Sequence, residues 1–227
     1  ILKDRQYTSL FKITKFKKAV CPNFKYHRLP EDGLDFKDVE TPNYFGEDNQ
    51  DVWYQVEVKV PNENDIYFNL ELQTDSLVIV NDNEKFYSLN PFHSLVPLYP
   101  FKGKTITISI CIWSGYKFPG YHPRESKRVL VTVAKRVKDY PLTLNRANVI
   151  VKNKYSYNRY YDVYVLYQLS KTLDSNSLLY QKIISTLHKE LIKIQISEES
   201  LEIQEKQARL VLKNIQPLLK YKNGTIS

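Results

Sequence analysis

Alternation dominates the middle of the chain. Val52, Tyr54, Val56, Val58 and Val60 interleave with Trp53, Gln55, Glu57 and Lys59, the period of two that gives a strand one covered face and one wetter face. Pro61-Asn62-Glu63-Asn64-Asp65 breaks the run. Ile66, Phe68, Leu70 and Leu72 then oppose Tyr67, Asn69 and Glu71, and residues 77–80 lead to a turn at Asn81-Asp82-Asn83. Ile106, Ile108, Ile110 and Ile112 stand opposite Thr105, Thr107, Ser109 and Cys111, while Val129, Val131 and Val133 mark one more strand. Short strands with turn signals between them and no helical spacer predict a jelly-roll β-sandwich over 51–152.

Past that point the period lengthens. Tyr180, Ile183, Ile184, Leu187, Leu191 and Ile194 fall at helical spacing, with Asp174-Ser175 placed to cap the start. An earlier helix over 158–173 turns Val163, Leu166 and Tyr167 inward. A third follows Ser197, with Glu198 and Glu199 in its first turn, an apolar side made of Leu201, Ala208, Leu212, Ile215 and Leu219, and a stop or kink at Pro217. The reading is therefore mainly β plus α, a sandwich followed by a small three-helix segment over 153–227. Residues 1–50, interrupted by Pro22, Pro30 and Pro42, read as an arm of loops, a short helix and one strand packing on the sandwich.

Composition adds bounds. With 42% apolar and 26% charged residues among 227, the chain has the balance of a folded globular protein. It lacks both a run of about 20 apolar residues and a signal-peptide core, so a cytoplasmic location without membrane contact is expected. The excess of 33 basic over 25 acidic residues raises nucleic acid as a partner. Beyond the run Lys12-Ile13-Thr14-Lys15-Phe16-Lys17-Lys18, however, Lys alternates with Glu and Asp, and a phosphate-tracking surface needs its cations gathered on one strip. Cys21 and Cys111 lack metal-ligand spacing and read as buried thiols, with a bridge between them left open.

Little of the sequence carries catalytic chemistry. His27, His93, His122 and His188 stand apart from further ligands, so no metal site and no cofactor are assigned. Carboxylates at Glu31-Asp32, Glu47-Asp48 and Asp51 fall in turn-rich loops, without the rigid paired acids that glycoside chemistry requires. Asn223-Gly224-Thr225 matches a glycosylation acceptor but reads as a turn. Tyr155, Tyr157, Tyr160, Tyr161, Tyr164 and Tyr167 offer a stacking platform, although their helical spacing favours packing. The best contact surface is the loop over 113–123, where Trp113, Tyr116, Phe118, Tyr121 and His122 gather at a strand end as weak carbohydrate-contact candidates.

Taken in order, several of these segments resemble a known family. They are Trp53-Tyr54-Gln55-Val56-Glu57-Val58-Lys59-Val60-Pro61, the hairpin over 77–93, the strand ending at Trp113 with its Gly115-Tyr116-Lys117-Phe118-Pro119-Gly120 loop, and Tyr160-Tyr161-Asp162-Val163-Tyr164-Val165-Leu166. Together they resemble the N-terminal region of class II α-mannosidases of glycoside hydrolase family 38, in its cytosolic, vacuolar and archaeal branch. The resemblance implies a galactose-binding-like sandwich and helices preceding a catalytic barrel that this chain does not reach. It also implies a retaining parent hydrolase that acts on mannose-containing glycans with zinc in the barrel, and a homo-oligomer. None of the family's catalytic residues matches a position here, and the hairpin carries Asn81-Asp82-Asn83 where a glycine-containing turn is expected. The chain, which starts at Ile1 without Met and stops after Asn223-Gly224-Thr225-Ile226-Ser227, reads as a piece of a longer one. Two other readings stand beside this: a stand-alone carbohydrate-binding jelly-roll module, and a basic nucleic-acid-binding protein.

Overall fold

A computed structural model describes residues 2–21, 33–44, 51–72, 75–81, 85–90, 92–113, 143–192, 194 and 200–220. The chain forms two compact units, Ser9–Val151 and the pair Ile1–Thr8 with Lys152–Ser227.

The first unit is built of strands. In chain order they are β1 (Tyr7–Ile13), β2 (Lys15–Cys21), β3 (Lys37–Glu40), β4 (Asn43–Tyr44), β5 (Asp51–Lys59) and β6 (Ile66–Glu71). They continue as β7 (Ser76–Val80), β8 (Lys85–Leu89), β9 (Leu95–Pro97), β10 (Thr105–Trp113), β11 (Thr143–Leu144) and β12 (Arg146–Lys152). A six-stranded sheet runs β3-β2-β5-β10-β7-β8, a four-stranded sheet runs β1-β12-β6-β9, and β11 pairs with β4. The long pair β5 and β10 is antiparallel, in register from Lys59 opposite Thr105 to Asp51 opposite Trp113.

Alternation in the sequence becomes one shared core. Val52, Tyr54 and Val58 of β5 and Ile106, Ile108, Ile110 and Ile112 of β10 meet Ile66, Phe68 and Leu70 of β6 and Val149 of β12. Each such side chain removed from water contributes about 1.5–3 kcal/mol. Where the chain must turn, Asp65 (φ 51°) and Asn81 (φ 48°) take the left-handed region, which Asp and Asn tolerate. Asn81 is tied down there: its N–H donates to the Thr107 carbonyl at 2.9 Å, and its Oδ1 accepts from the Thr107 N–H at 3.2 Å.

The opposite side of β5 differs from expectation. Trp53, read as facing outward, is fully buried with Cys21, Ile79 and Cys111, and Leu34, Phe36 and Leu77 pack against them. The cover comes from chain distant in sequence, which a period of two does not encode. The first fifty residues also carry more strand than expected, with β1 to β4 all falling there. The strand over 129–133 and the capping acids Glu198 and Glu199 lie outside the described residues.

The second unit holds α1 (Lys154–Ser170), α2 (Leu178–Leu191) and α3 (Leu201–Leu219). Val163 and Leu166, Ile183 and Leu187, and Val211, Ile215 and Leu218 form its core. Among the described residues, three α-helices and several antiparallel sheets make the protein mixed β plus α. Tyr167 corrects the inward reading, being 48% exposed, because the buried face of α1 runs through Ser156, Arg159, Val163, Leu166 and Ser170. In α3 the stripe is Ala208, Val211, Ile215 and Leu218, which leaves Leu201 and Leu219 exposed. The cap of α2 is Ser177, whose Oγ accepts from the Tyr180 N–H at 3.2 Å; Ser200 serves α3 in the same way. Pro217 falls in the last turn of α3, which ends two residues later.

The N-terminus of α1 is finished from far away in sequence. Asn153, at the cap position, makes no side-chain bond to the helix. Its amide instead donates to the Arg5 carbonyl at 2.9 Å and to Thr8 Oγ1 at 3.0 Å. The first N–H groups of α1 go to Glu205 of α3, whose two carboxylate oxygens accept from Tyr155 and Ser156, each at 2.8 Å. A carboxylate at the positive end of a helix satisfies orphan donors and the helix dipole together.

Candidate functional site

Of the contact residues expected at the end of β10, the structure describes the backbone of Trp113, the last residue of the strand, opposite Asp51. Tyr116, Phe118, Tyr121 and His122 lie outside the described residues.

The six-stranded sheet presents a different surface. In β2, β3 and β5 polar residues flank single apolar ones: Lys15 and Lys17 around Phe16, Asp38 and Glu40 around Val39, and Gln55 and Glu57 around Val56. Because the apolar residue of each triplet faces the core side, the polar ones share the reverse face. Register then sets them in rows across four strands. Asp38 stands opposite Lys17, Lys17 opposite Gln55, and Gln55 opposite Ser109. Beside that row, Glu40 is opposite Lys15 and Glu57 is opposite Thr107. All of these except Ser109 line a groove of about 590 Å³.

Chemically the groove is a field of donors and acceptors. Gln55 Nε2 donates to Ser109 Oγ at 3.3 Å. Lys15, Lys17, Asp38, Glu40 and Glu57 form no side-chain hydrogen bond or ion pair among the described residues, and the ion pair found near them, Lys37 with Asp35 at 3.6 Å, is exposed. Two ammonium groups among three carboxylates give the face almost no net charge, which suits a neutral hydroxyl-rich ligand better than a polyanion. The sequence signal was present as three local alternations, but the groove exists only in the strand order β3-β2-β5-β10, which sequence does not state.

Elsewhere the polar groups are structural. Lys18 Nζ donates to the Tyr44 carbonyl at 2.6 Å, and Tyr54 donates its hydroxyl to Asn43 Oδ1 at 2.8 Å. Burial lowers the lysine's pKa and raises the tyrosine's. His93 sits exposed beside Asn90, and His188 lies in the last turn of α2; His27 and His122 are outside the described residues. Among the described residues no three His, Cys, Asp or Glu side chains are grouped to hold a metal ion, and no helix is long and apolar enough to cross a membrane. The tyrosines of α1 pack on one another, Tyr157 and Tyr161 tilted at 4.7 Å and Tyr160 and Tyr164 stacked at 6.1 Å between ring centroids.

Cys21 and Cys111 are buried and not joined in a disulfide. Burial, the Asp51 carboxylate and Cys21 push the Cys111 thiol from an ordinary 9.0 up to about 12. A folded-state value raised above the unfolded one means stability that is complete below pH 9 and lost as pH climbs toward 12. Since the thiolate is the reactive form, Cys111 is expected to resist a thiol reagent in the native protein at about pH 8 and to react once unfolded in guanidinium. Prompt labelling of the native protein at Cys111, mapped by mass spectrometry, would contradict this.

No protein-family model matches the chain. No curated protein matches it either. Among solved structures, a β-glucuronidase from Faecalibacterium prausnitzii is similar at 13% identity and a TM-score of 0.39, over 63% of this chain and 31% of that one. The match thus spans less than a third of that structure's length.

Proposed function

We propose that this chain is the non-catalytic N-terminal segment of an α-mannosidase of glycoside hydrolase family 38. The observation that supports it is the order of the matching segments. Residues 53–59 lie in β5 of the six-stranded sheet, the hairpin of β7 and β8 and the strand ending at Trp113 belong to the same sheet, and residues 160–166 lie within α1 of the unit that follows. In this reading the sheets take the galactose-binding-like jelly-roll form and the helices lead into a catalytic barrel. The parent is a retaining hydrolase that removes terminal α-linked mannose from glycans. Zinc and the carboxylate nucleophile belong to the barrel, and no residue here is assigned to either. The segment is a scaffold: it packs on the barrel, shapes the entrance to its site and supplies contacts in a cytoplasmic homo-oligomer, with no membrane or nucleic-acid partner.

The purified chain, given zinc and p-nitrophenyl α-mannoside, is expected to release no nitrophenol. Turnover would overturn the scaffold role. In the native gene, the reading frame beyond Ser227 is expected to encode a His-x-His-x-Asp cluster; a stop codon there would overturn the family assignment.

The groove of the six-stranded sheet favours a second reading, a carbohydrate-binding module. Its uncommitted lysines and carboxylates span two inter-strand steps, about 10 Å, long enough for a disaccharide. A glycan array decides between the two readings: retention of a mannose-containing glycan that is lost in Lys17→Ala and Glu57→Ala selects the module, and no retention selects the scaffold.

A further inference from the structure

Arg159 lies in the second turn of α1, wholly buried, three residues beyond Ser156, which is also wholly buried. That spacing sets both on one side of the helix. Neither the three guanidinium nitrogens of Arg159 nor the Ser156 hydroxyl has a hydrogen-bond partner among the described residues. An arginine does not shed its proton to escape burial, and an enclosed charge without hydrogen bonds carries a cost comparable to the whole stability of a domain.

The charges around Arg159 act on it only at a distance. Burial and the Arg5 charge both oppose the cation, and Glu205 supports it. Glu205 has both oxygens on the N–H groups of Tyr155 and Ser156 and makes no ion pair with Arg159. The Arg159 guanidinium thus has no carboxylate in contact with it among the described residues.

We propose that Arg159 and Ser156 hold a small monovalent inorganic anion of the chloride class as a structural ion inside the helical unit. The guanidinium fork and the serine hydroxyl are donors without acceptors, and an anion is an acceptor for all of them. One negative charge matches the single guanidinium, whereas a phosphate dianion would overshoot it. Complete enclosure also favours an ion that gives up its water readily. This site belongs to residues 154–170 and their neighbours and does not depend on the family reading.

Thermal unfolding of the whole chain in sodium gluconate, replaced stepwise by sodium chloride at constant ionic strength, tests it. The wild type is expected to gain about 5 °C in Tm along a saturating curve. Arg159→Met is expected to show no chloride dependence, and Ser156→Ala to need about tenfold more chloride for half the effect, the loss of one hydrogen bond. A flat Tm in the wild type, or equal chloride responses in the wild type and Arg159→Met, overturns the site. Should Arg159→Met fail to fold, an unchanged half-effect concentration in Ser156→Ala overturns it equally.

Discussion

Trp53→Ala is expected to cost the strand-built unit about 3–5 kcal/mol, the range for deleting a large buried ring when its surroundings relax only in part. Trp53 is fully buried in a cluster with Cys21, Ile79 and Cys111, against which Leu34, Phe36 and Leu77 pack. Its indole Nε1 has no hydrogen-bond partner among the described residues. Trp53→Phe therefore loses packing volume but also removes an unsatisfied donor, and should cost only about 1–2 kcal/mol. Denaturant midpoints for the two variants check the argument. Equal losses would mean that the ring is not enclosed as described.

The second large effect belongs to the helical unit. Glu205→Ala removes the acceptor of two N–H groups at the start of α1 and the carboxylate nearest in effect to the buried Arg159. Hydrogen bonds to a charged acceptor carry about 1.5–3 kcal/mol each, and Glu205 is half-buried, so a loss of about 2–3 kcal/mol is expected. Glu205→Gln keeps one acceptor oxygen and should lose roughly half as much. Circular dichroism during urea unfolding reads both, and a Glu205→Ala loss below about 0.5 kcal/mol, the size of ordinary surface changes, would refute the capping role.

What the sequence disclosed follows from how local each cause is. The core face of β5 and β10 was legible because burial there repeats every second residue, so Val52, Tyr54, Ile106 and Ile108 announce themselves. Trp53 was misread because its cover arrives from residues 34 and 36. The α1 start was placed at 158, four residues late, because Asn153 at the cap position turns its amide to Arg5 and Thr8 and the first N–H groups go to the distant Glu205. In α3, Leu201, Leu212 and Leu219 are as apolar as the residues that pack, and the choice among stripes was made by contact with α1 and α2. For the site, Lys15 and Lys17 read as part of the basic run over 12–18 and Gln55 and Glu57 as the wetter face of a strand, and only non-sequential strand order sets them in rows.

Residues 2–8 group with the helices that begin some 145 positions later, held by the bonds of Asn153 to Arg5 and Thr8 and by the edge-on rings of Tyr7 and Tyr157. Synthesis on a ribosome delivers residues 2–8 before the strands, and the helices that hold them after the strands. Those residues must wait unclasped while the intervening strands emerge, and the clasp can close only once the helices have been made.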